Sequence, residues 1–155
     1  MKQDAPQNYE LQVRQILEDR IRKEYANSIF EVFPSRKYRG KSGAEHQIDV
    51  SAEVVFAGLK LLILAECKMW SSTVKKQHLM AFLATIQDVG ANKGLVVTTV
   101  GYQDGAKIVA SANGISLVKK ESGNPDSWQV VVPLVVGAAL VSATSAQASS
   151  SATTS

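Results

Sequence analysis

The chain has 155 residues, of which 45% are hydrophobic and 20% charged, and this composition is typical of one globular domain with a sizeable core. The single cysteine excludes an internal disulfide and a multi-cysteine zinc site, and it fits a reducing, cytoplasmic compartment. With a formal charge of +3 the chain is only mildly basic, which permits an acidic polymer as a partner without requiring one.

The first predicted element is a helix that follows a polar N-terminal segment. Residues 1–8 have no apolar stretch of the kind that a secretory signal needs, and they are expected to be flexible. Within Tyr9–Tyr25, apolar side chains recur at helical spacing, with Asn8 as the candidate N-cap. Residues 28–33, SIFEVF, then alternate as a strand does, and Pro34 is expected to end that strand.

A basic segment is predicted to connect this strand to the next. Tyr38 and Gly40 are interleaved among its cations, and the glycine permits close approach of a polymer backbone. Such a loop is expected to bind nucleic-acid phosphates, and the alternative is a solvated loop with no partner. The candidate phosphate-binding residues are Arg36, Lys37, Arg39 and Lys41.

Residues 47–68, QIDVSAEVVFAGLKLLILAECK, predict a β-hairpin. Both halves have the pattern of strands, and the small pair Ala57-Gly58 predicts a two-residue turn between Phe56 and Leu59. If Phe56 faces Leu59, the numbers of facing residues sum to 115, and alternate residues of each strand share a face. One face is then wholly apolar, and it consists of Ile48, Val50, Ala52, Val54, Leu61, Ile63, Ala65 and Cys67.

The other face of the hairpin brings together two carboxylates and a lysine. The register places Asp49 opposite Glu66, with Lys68 two residues further along on the same face. Like charges directly opposite each other destabilise a sheet, and a divalent cation would compensate them. Carboxylate oxygens, with water and phosphate in the other positions, suit Mg²⁺, while Lys68 would orient water and stabilise developing charge. The alternative is a solvated face on which Lys68 forms an ordinary surface ion pair.

A second helix is predicted from Val74 to Asp88, with apolar residues and His78 along its inner side. It begins with Lys75, Lys76 and Gln77. Cations at a helix start oppose the helix dipole, and such local conflicts are tolerated at functional sites, so both lysines are expected to meet phosphate. Gln77 is an accessory candidate that could face the substrate, and the alternative is a surface glutamine.

The chain then predicts two more strands and another helix. Gly94–Val100 is an uninterrupted apolar strand expected at the centre of the sheet, Asp104–Asn113 a short helix, and Ile115–Val118 a further strand. The element order αβββαβαβ indicates an α/β fold with a mixed central sheet and helices on both faces.

Residues 127–155 contain no charged side chain. Residues 127–141 are expected to form an apolar strand or extension, and residues 142–155 a disordered tail rich in Ser, Ala and Thr. A membrane anchor is the disfavoured alternative, because the apolar run falls short of the ~20 residues that a span needs.

Four segments together resemble the restriction-endonuclease-like PD-(D/E)xK nucleases, and among them the Mrr-like restriction endonucleases. The segments are HQIDV at 46–50, ECK at 66–68, GANKGLVVTTVGYQDGA at 90–106 and ANGISLV at 112–118. The resemblance implies a restriction-endonuclease-like domain over residues 9–126. In that domain Asp49 and Glu66 would bind Mg²⁺, with Mn²⁺ as a substitute, and Lys68 would assist the attacking water.

The same resemblance suggests one further ligand and includes one departure. Glu10, on the first helix, resembles the acidic residue that some members add to the metal site, and Glu18 is equally suitable by type. The usual proline before the first acid is replaced here by Ile48, a change that Mrr-like members tolerate.

The expected function is therefore Mg²⁺-dependent hydrolysis of phosphodiester bonds in double-stranded DNA by a restriction endonuclease of the Mrr-like type. The alternatives are a repair or junction-resolving nuclease and a DNA-binding module of the same fold that does not cleave. Because so small a core would need a second subunit to cut both strands, a homodimer is expected. Neither a small-molecule cofactor nor a membrane is expected as a partner.

Overall fold

The structure is a computed structural model that describes residues 5–68, 71–121, 124 and 127–134. Its elements are, in chain order, α1 (Ala5–Glu24), β1 (Ile29–Arg39), β2 (Glu45–Phe56), β3 (Leu59–Lys68), α2 (Lys76–Val89), β4 (Lys93–Thr98), α3 (Asp104–Ala112), β5 (Ile115–Lys120) and β6 (Trp128–Val132). The predicted order is confirmed, and β6 follows it within the apolar segment. The predicted tail, residues 142–155, lies outside the described residues.

One mixed sheet contains all six strands in the order β1-β2-β3-β4-β5-β6. The first three strands are antiparallel to their neighbours, β3, β4 and β5 are parallel, and β6 is antiparallel to β5. The two parallel connections contain α2 and α3, and right-handed crossovers in the same direction place both helices on one face. Helix α1 contacts the first three strands from the opposite face, which confirms the predicted architecture.

Two buried layers lie on the two faces of the sheet. The α1 layer includes Val13, Ile16, Leu17, Ile21, Val50, Ala52, Ile63, Leu95 and Val97. The α2/α3 layer includes Ile48, Leu64, Leu79, Phe82, Ile86, Val96, Ala106, Val109 and Leu117. Strand β4 contributes to both layers, as predicted for a central strand. Among the described helices, none is long and apolar enough to cross a membrane.

The hairpin of β2 and β3 has the predicted turn and register. Ala57 has φ 52° and Gly58 has φ 78°, and the type I′ turn requires positive φ at both positions. The paired residues run from Phe56 with Leu59 to Val50 with Ala65, as the sum of 115 predicts. Seven of the eight side chains assigned to the apolar face belong to the α1 layer or pack against it, and the exception is Ile48.

Ile48 differs because the two-stranded ribbon of β1 and β2 twists near Pro34, so that side chains beyond this point face the opposite side of the sheet. Val32 belongs to the α1 layer, whereas Tyr38, which strict alternation would place on the same face, packs against the α2/α3 layer. The β2–β3 ladder ends at Val50, and a two-stranded stretch twists more strongly than a wide sheet. Ile48 therefore faces the α2/α3 layer, and the prediction for this residue is wrong.

Strand β1 runs through Pro34, so the predicted strand end and the predicted basic loop are both wrong. Because β1 is an edge strand with β2 as its neighbour, a proline without an N–H is tolerated along its outer side. Arg36, Lys37 and Arg39 therefore lie on a strand, and Lys41 lies in the turn that follows.

Helices α1 and α2 both begin at residues other than the predicted ones. Helix α1 begins at Ala5, so the predicted cap Asn8 lies inside the helix and part of the segment predicted to be flexible is helical. Helix α2 begins at Lys76, and His78 accepts a hydrogen bond at Nδ1 from the N–H of Lys75 at 3.0 Å. His78 thus caps the helix and does not belong to its buried side. In α1, apolar periodicity marks only the buried stretch, and the first turn extends beyond it. Helix α2 instead begins two residues after Val74, because Val74 pairs with Tyr102 outside the helix.

Asp88 holds the tip of the β1–β2 ribbon against the C-terminal end of α2. Its Oδ2 accepts hydrogen bonds from His46 Nε2 at 2.7 Å and from the Ser42 hydroxyl at 2.8 Å, while Oδ1 accepts from the Ser42 N–H at 2.9 Å. The N–H of Lys41 donates to the Asp88 carbonyl at 2.7 Å. Gly40 makes this approach possible, because a Cβ there would lie 1.8 Å from the Asp88 carboxylate.

Asp88→Asn is expected to lower the melting temperature at neutral pH, and this difference should vanish near pH 2. Hydrogen bonds from His46 and Ser42 lower the pKa of Asp88 from its ordinary 3.8 to about 2. A carboxylate with a depressed folded pKa stabilises the protein above its unfolded pKa, and the contribution is lost as pH falls from about 4 to about 2. Thermal melts of both proteins between neutral pH and pH 2 measure the difference, and a pH-independent gap would contradict the prediction.

Candidate active site

Asp49 lies where β2 separates from β3. The last pair of the ladder is Val50 with Ala65, one short of the predicted pair of Asp49 with Glu66. The N–H of Cys67 instead donates to Asp49 Oδ2 at 3.1 Å, so the side chain of Asp49 replaces a strand partner there. Its carboxylate is thereby fixed next to the peptide bond that follows Glu66.

Glu66 and Lys68 lie on one face of β3, as predicted, and form an ion pair with 3.1 Å between Nζ and Oε2. Their side chains are 20% and 25% exposed, so the pair is accessible yet less solvated than a typical surface pair. Strand β4 supports both residues, because Glu66 pairs with Val96 and Lys68 with Thr98. The Thr98 hydroxyl donates to the Lys68 carbonyl at 2.7 Å and fixes the end of the strand.

The pKa of Cys67 depends on the charges around the end of β3. Burial raises its pKa to about 12, the negative charges of Asp49 and Glu10 add to the rise, and Lys68 opposes it. Glu10 of α1 therefore lies within electrostatic range of the same point as Asp49 and Lys68. Glu18 follows Glu10 by two turns, about 12 Å along the helix axis. The thiol packs against the α1 layer, as its place on the predicted apolar face requires.

The carboxylates of Asp49 and Glu66 supply hard oxygen ligands for a cation. Within the described residues, Asp49 and Glu66 each use one oxygen in the contacts above, which leaves each a second oxygen for a cation. In the same part of the chain, no group of three or more His, Cys, Asp and Glu side chains is placed to hold a metal ion. Two carboxylates that leave other positions to water and phosphate fit the coordination that Mg²⁺ prefers.

The three cations of β1 differ in their contacts. Arg36 Nη1 lies 3.6 Å from Glu53 Oε2, and the guanidinium carbon lies 3.8 Å from the centroid of the Phe33 ring. Lys37 and Arg39 are exposed and two residues apart, so they share one face of the strand. Arg36 is therefore engaged within the protein, whereas Lys37 and Arg39 point into solvent.

The other predicted phosphate-binding residues lie at opposite ends of α2. Lys41 contacts the C-terminal end of this helix, while Lys75 and Lys76 lie at its N-terminal end. The helix has 14 residues, which corresponds to a separation of about 20 Å. Lys75, Lys76 and Gln77 are exposed, and they follow β3 at the end that contains Lys68. The structure thus does not bring all the predicted cations together on one surface.

Sequence analysis missed two residues near the site. The Tyr102 hydroxyl lies 2.8 Å from the Val96 carbonyl oxygen and 2.9 Å from that of Val118, and it connects β4 to β5. Arg14 lines a cavity together with Glu10, which precedes it by four residues on α1. The spacing of one helical turn between these two charges was the available signal for Arg14.

A family model described as "Restriction endonuclease" (Mrr_cat) matches residues 17–122 of the chain. The matched segment contains Asp49, Glu66 and Lys68, and it begins after Glu10. None of the curated proteins matches the sequence.

Two solved structures have a similar fold. One is a protein of unknown function, AF1548, with 24% identity and a TM-score of 0.56 over 71% of this chain and 55% of that chain. The other is the MspJI restriction endonuclease in complex with a 27-mer oligonucleotide, with 14% identity and a TM-score of 0.51 over 71% of this chain and 25% of that chain. The chain therefore spans about half of the first protein and a quarter of the second. The similarity to MspJI, together with the family match, supports the restriction-endonuclease-like fold.

Proposed function

The chain belongs to the Mrr_cat restriction endonuclease family, and we propose that it is a metal-dependent DNA endonuclease of the Mrr-like restriction type. One observation carries this proposal: at the end of β3, the Glu66–Lys68 ion pair lies next to the backbone N–H that binds Asp49. A solvated surface gives no reason for a carboxylate to bind that N–H beside the ion pair.

Each residue of this group has a distinct role in the proposed reaction. Mg²⁺, or Mn²⁺ in its place, would be held by Asp49 and Glu66 and would neutralise charge on the phosphodiester. The predicted additional ligand, Glu10, does not form a three-carboxylate metal group with them within the described residues. Lys68 orients the attacking water and stabilises the charge that develops on the phosphoryl oxygens during in-line attack. The hydrogen bond from Cys67 holds Asp49 in position, which limits the reorganisation that the reaction requires.

DNA is the proposed substrate, bound mainly through its phosphates. Lys37 and Arg39 project from β1, Lys41 lies at one end of α2, and Lys75 and Lys76 lie at its other end. A separation of about 20 Å means that these groups contact different parts of a duplex, since one base-pair step rises 3.4 Å per strand. Next to the lysines of α2, the exposed Gln77 is proposed to contact the substrate as an accessory residue.

The assembly and compartment belong to the same proposal. The described residues contain one such centre, so cutting both strands is proposed to need a homodimer. Residues 9–126 are proposed as the nuclease domain, with residues 127–141 as an apolar extension. The cytoplasm is the proposed compartment, because its DNA is accessible there and a lone cysteine stays reduced.

Removing two exposed cations of β1 should flatten the salt dependence of DNA binding. For Lys37→Ala combined with Arg39→Ala, we expect the log–log slope to fall by about two units, one for each lost phosphate contact. Arg36→Ala is the matched control, because Glu53 and Phe33 already hold that side chain, and we expect its slope to change less. Fluorescence anisotropy of a labelled duplex in EDTA at several salt concentrations measures the slopes. An unchanged slope in the double variant would show that Lys37 and Arg39 do not contact DNA phosphates.

Cleavage of plasmid DNA tests the proposed function directly. With Mg²⁺, the wild-type protein should convert supercoiled plasmid, either unmodified or methylated, to nicked or linear DNA, and EDTA should prevent the conversion. A synthetic four-way junction in a parallel reaction distinguishes a junction-resolving nuclease. Binding of DNA without cleavage of any of these substrates, with Mg²⁺ or Mn²⁺, would refute the enzyme and support a non-cleaving module.

A further inference from the structure

A cavity of about 280 Å³ lies beside the candidate active site, between α1 and the β1–β2 ribbon. It is lined by Glu10, Leu11, Arg14, Pro34 and Val50. Val50 adjoins Asp49 in β2, so the cavity reaches the strand that contains the catalytic aspartate.

The lining of this cavity combines an apolar rim with a cation. Leu11 is 59% exposed and Pro34 is also exposed, and together they border a floor formed by the buried Val50. Arg14 follows Glu10 by four residues, which places both charges on the same side of α1. An apolar rim suits the carbon face of a deoxyribose, and a guanidinium suits a phosphate.

We propose that this cavity binds one sugar–phosphate unit of the DNA next to the cleaved bond, and that Arg14 binds its phosphate. The inference rests on the nuclease function proposed above and adds a positioning residue to it. Arg14 Nε lies 3.6 Å from Glu18 Oε2, with 43% of the arginine side chain exposed. So long and exposed an ion pair contributes little, and a phosphate can displace it. Sugar and phosphate contacts do not read bases, so Arg14 should act on all sequences alike.

A second ion pair on α1 provides the matched control. Lys23 lies 3.4 Å from Asp19 in the same i,i+4 arrangement, 64% exposed, and it is not part of the cavity lining. Lys23→Gln and Arg14→Gln each remove one exposed i,i+4 ion pair of α1, and only Arg14→Gln removes a cation from the cavity. Thermal melts of both variants check that the fold is retained.

Arg14→Gln is expected to weaken binding of a short duplex in EDTA about tenfold, the loss of one charge-assisted contact. It should also flatten the salt slope by about one unit. In Mg²⁺ it should raise KM for cleavage more than it lowers kcat, because the phosphate is bound in substrate and transition state alike. Arg14→Lys should recover part of the affinity, and Lys23→Gln should leave affinity, slope and KM unchanged.

Two contrary outcomes are distinguishable. If the wild type binds and cleaves a duplex and Arg14→Gln behaves as Lys23→Gln does, then Arg14 only stabilises α1 and the inference is overturned. If the wild type neither binds nor cleaves DNA, the proposed nuclease function itself fails, and the inference fails with it.

Discussion

Asp49→Asn is expected to abolish metal-dependent cleavage of DNA while the protein remains as stable as the wild type or becomes slightly more stable. The amide removes the charge that a divalent cation needs, but its oxygen can still accept the hydrogen bond from Cys67. Removing one negative charge also relieves repulsion from Glu10 and Glu66 in the metal-free protein. Thermal melts with and without Mg²⁺ measure the stability effect, and plasmid nicking measures the activity.

Asp49→Ala is the companion variant, because it removes both the charge and the hydrogen-bond acceptor. It should be as inactive as Asp49→Asn, but we expect it to lose about 1 kcal/mol of unfolding free energy through the unpaired N–H of Cys67. Mg²⁺ at 100 times its dissociation constant would stabilise the wild type by about 2.7 kcal/mol, and neither variant should gain this stabilisation. An Asp49→Asn protein that is stabilised by Mg²⁺ as strongly as the wild type would contradict the assigned role.

The turn and register of the β2–β3 hairpin could be predicted because both depend on local chemistry. The small pair Ala57-Gly58, of which only the glycine adopts positive φ without strain, defines the turn. Side-chain alternation then determines each facing pair up to Val50. The face of Ile48 could not be predicted in this way. It depends on where β2 loses β3 as a neighbour and on how far the remaining ribbon twists, and both are properties of the whole sheet.

Pro34 illustrates the same limit in the preceding strand. A proline ends a central strand but is tolerated on an edge strand, and the position of β1 at the edge follows from the topology of all six strands. The ribbon tip depends on contacts still more distant in sequence, because Ser42 binds Asp88 across 46 positions. No local periodicity indicates such a contact. The sequence therefore identified the basic segment but wrongly predicted that it forms a loop.

The sequence predicted which residues form the candidate site better than it predicted their arrangement. Period-two spacing on β3 places Glu66 and Lys68 on one face, as the structure has them. The same register predicted that Asp49 would face Glu66 as a ladder pair, whereas its carboxylate replaces the missing strand partner of Cys67. This difference arises where the ladder stops, and the end of a ladder is determined by the twist of the ribbon.

Lys68→Ala is expected to separate catalysis from metal binding. Cleavage should fall by about 10²- to 10³-fold, because a preorganised group that stabilises developing charge is lost. The carboxylates of Asp49 and Glu66 remain, so stabilisation by Mg²⁺ should persist, unlike in Asp49→Asn. Losing the partly exposed ion pair with Glu66 should lower the unfolding free energy by about 1 kcal/mol or less. Thermal melts with and without Mg²⁺, together with single-turnover cleavage rates, measure these effects.

Lys68→Arg then distinguishes a purely electrostatic role from proton transfer. The guanidinium keeps the positive charge and can still pair with Glu66, but it does not release a proton near neutral pH. If charge stabilisation dominates, Lys68→Arg should retain more activity than Lys68→Ala, whereas a proton-transfer role makes the two equally inactive. Two results would contradict any catalytic role for Lys68: wild-type cleavage rates in Lys68→Ala, or loss of stabilisation by Mg²⁺ in parallel with activity. The second result would mean that Lys68 holds Glu66 in place, because metal binding would then require the ion pair that positions the Glu66 carboxylate.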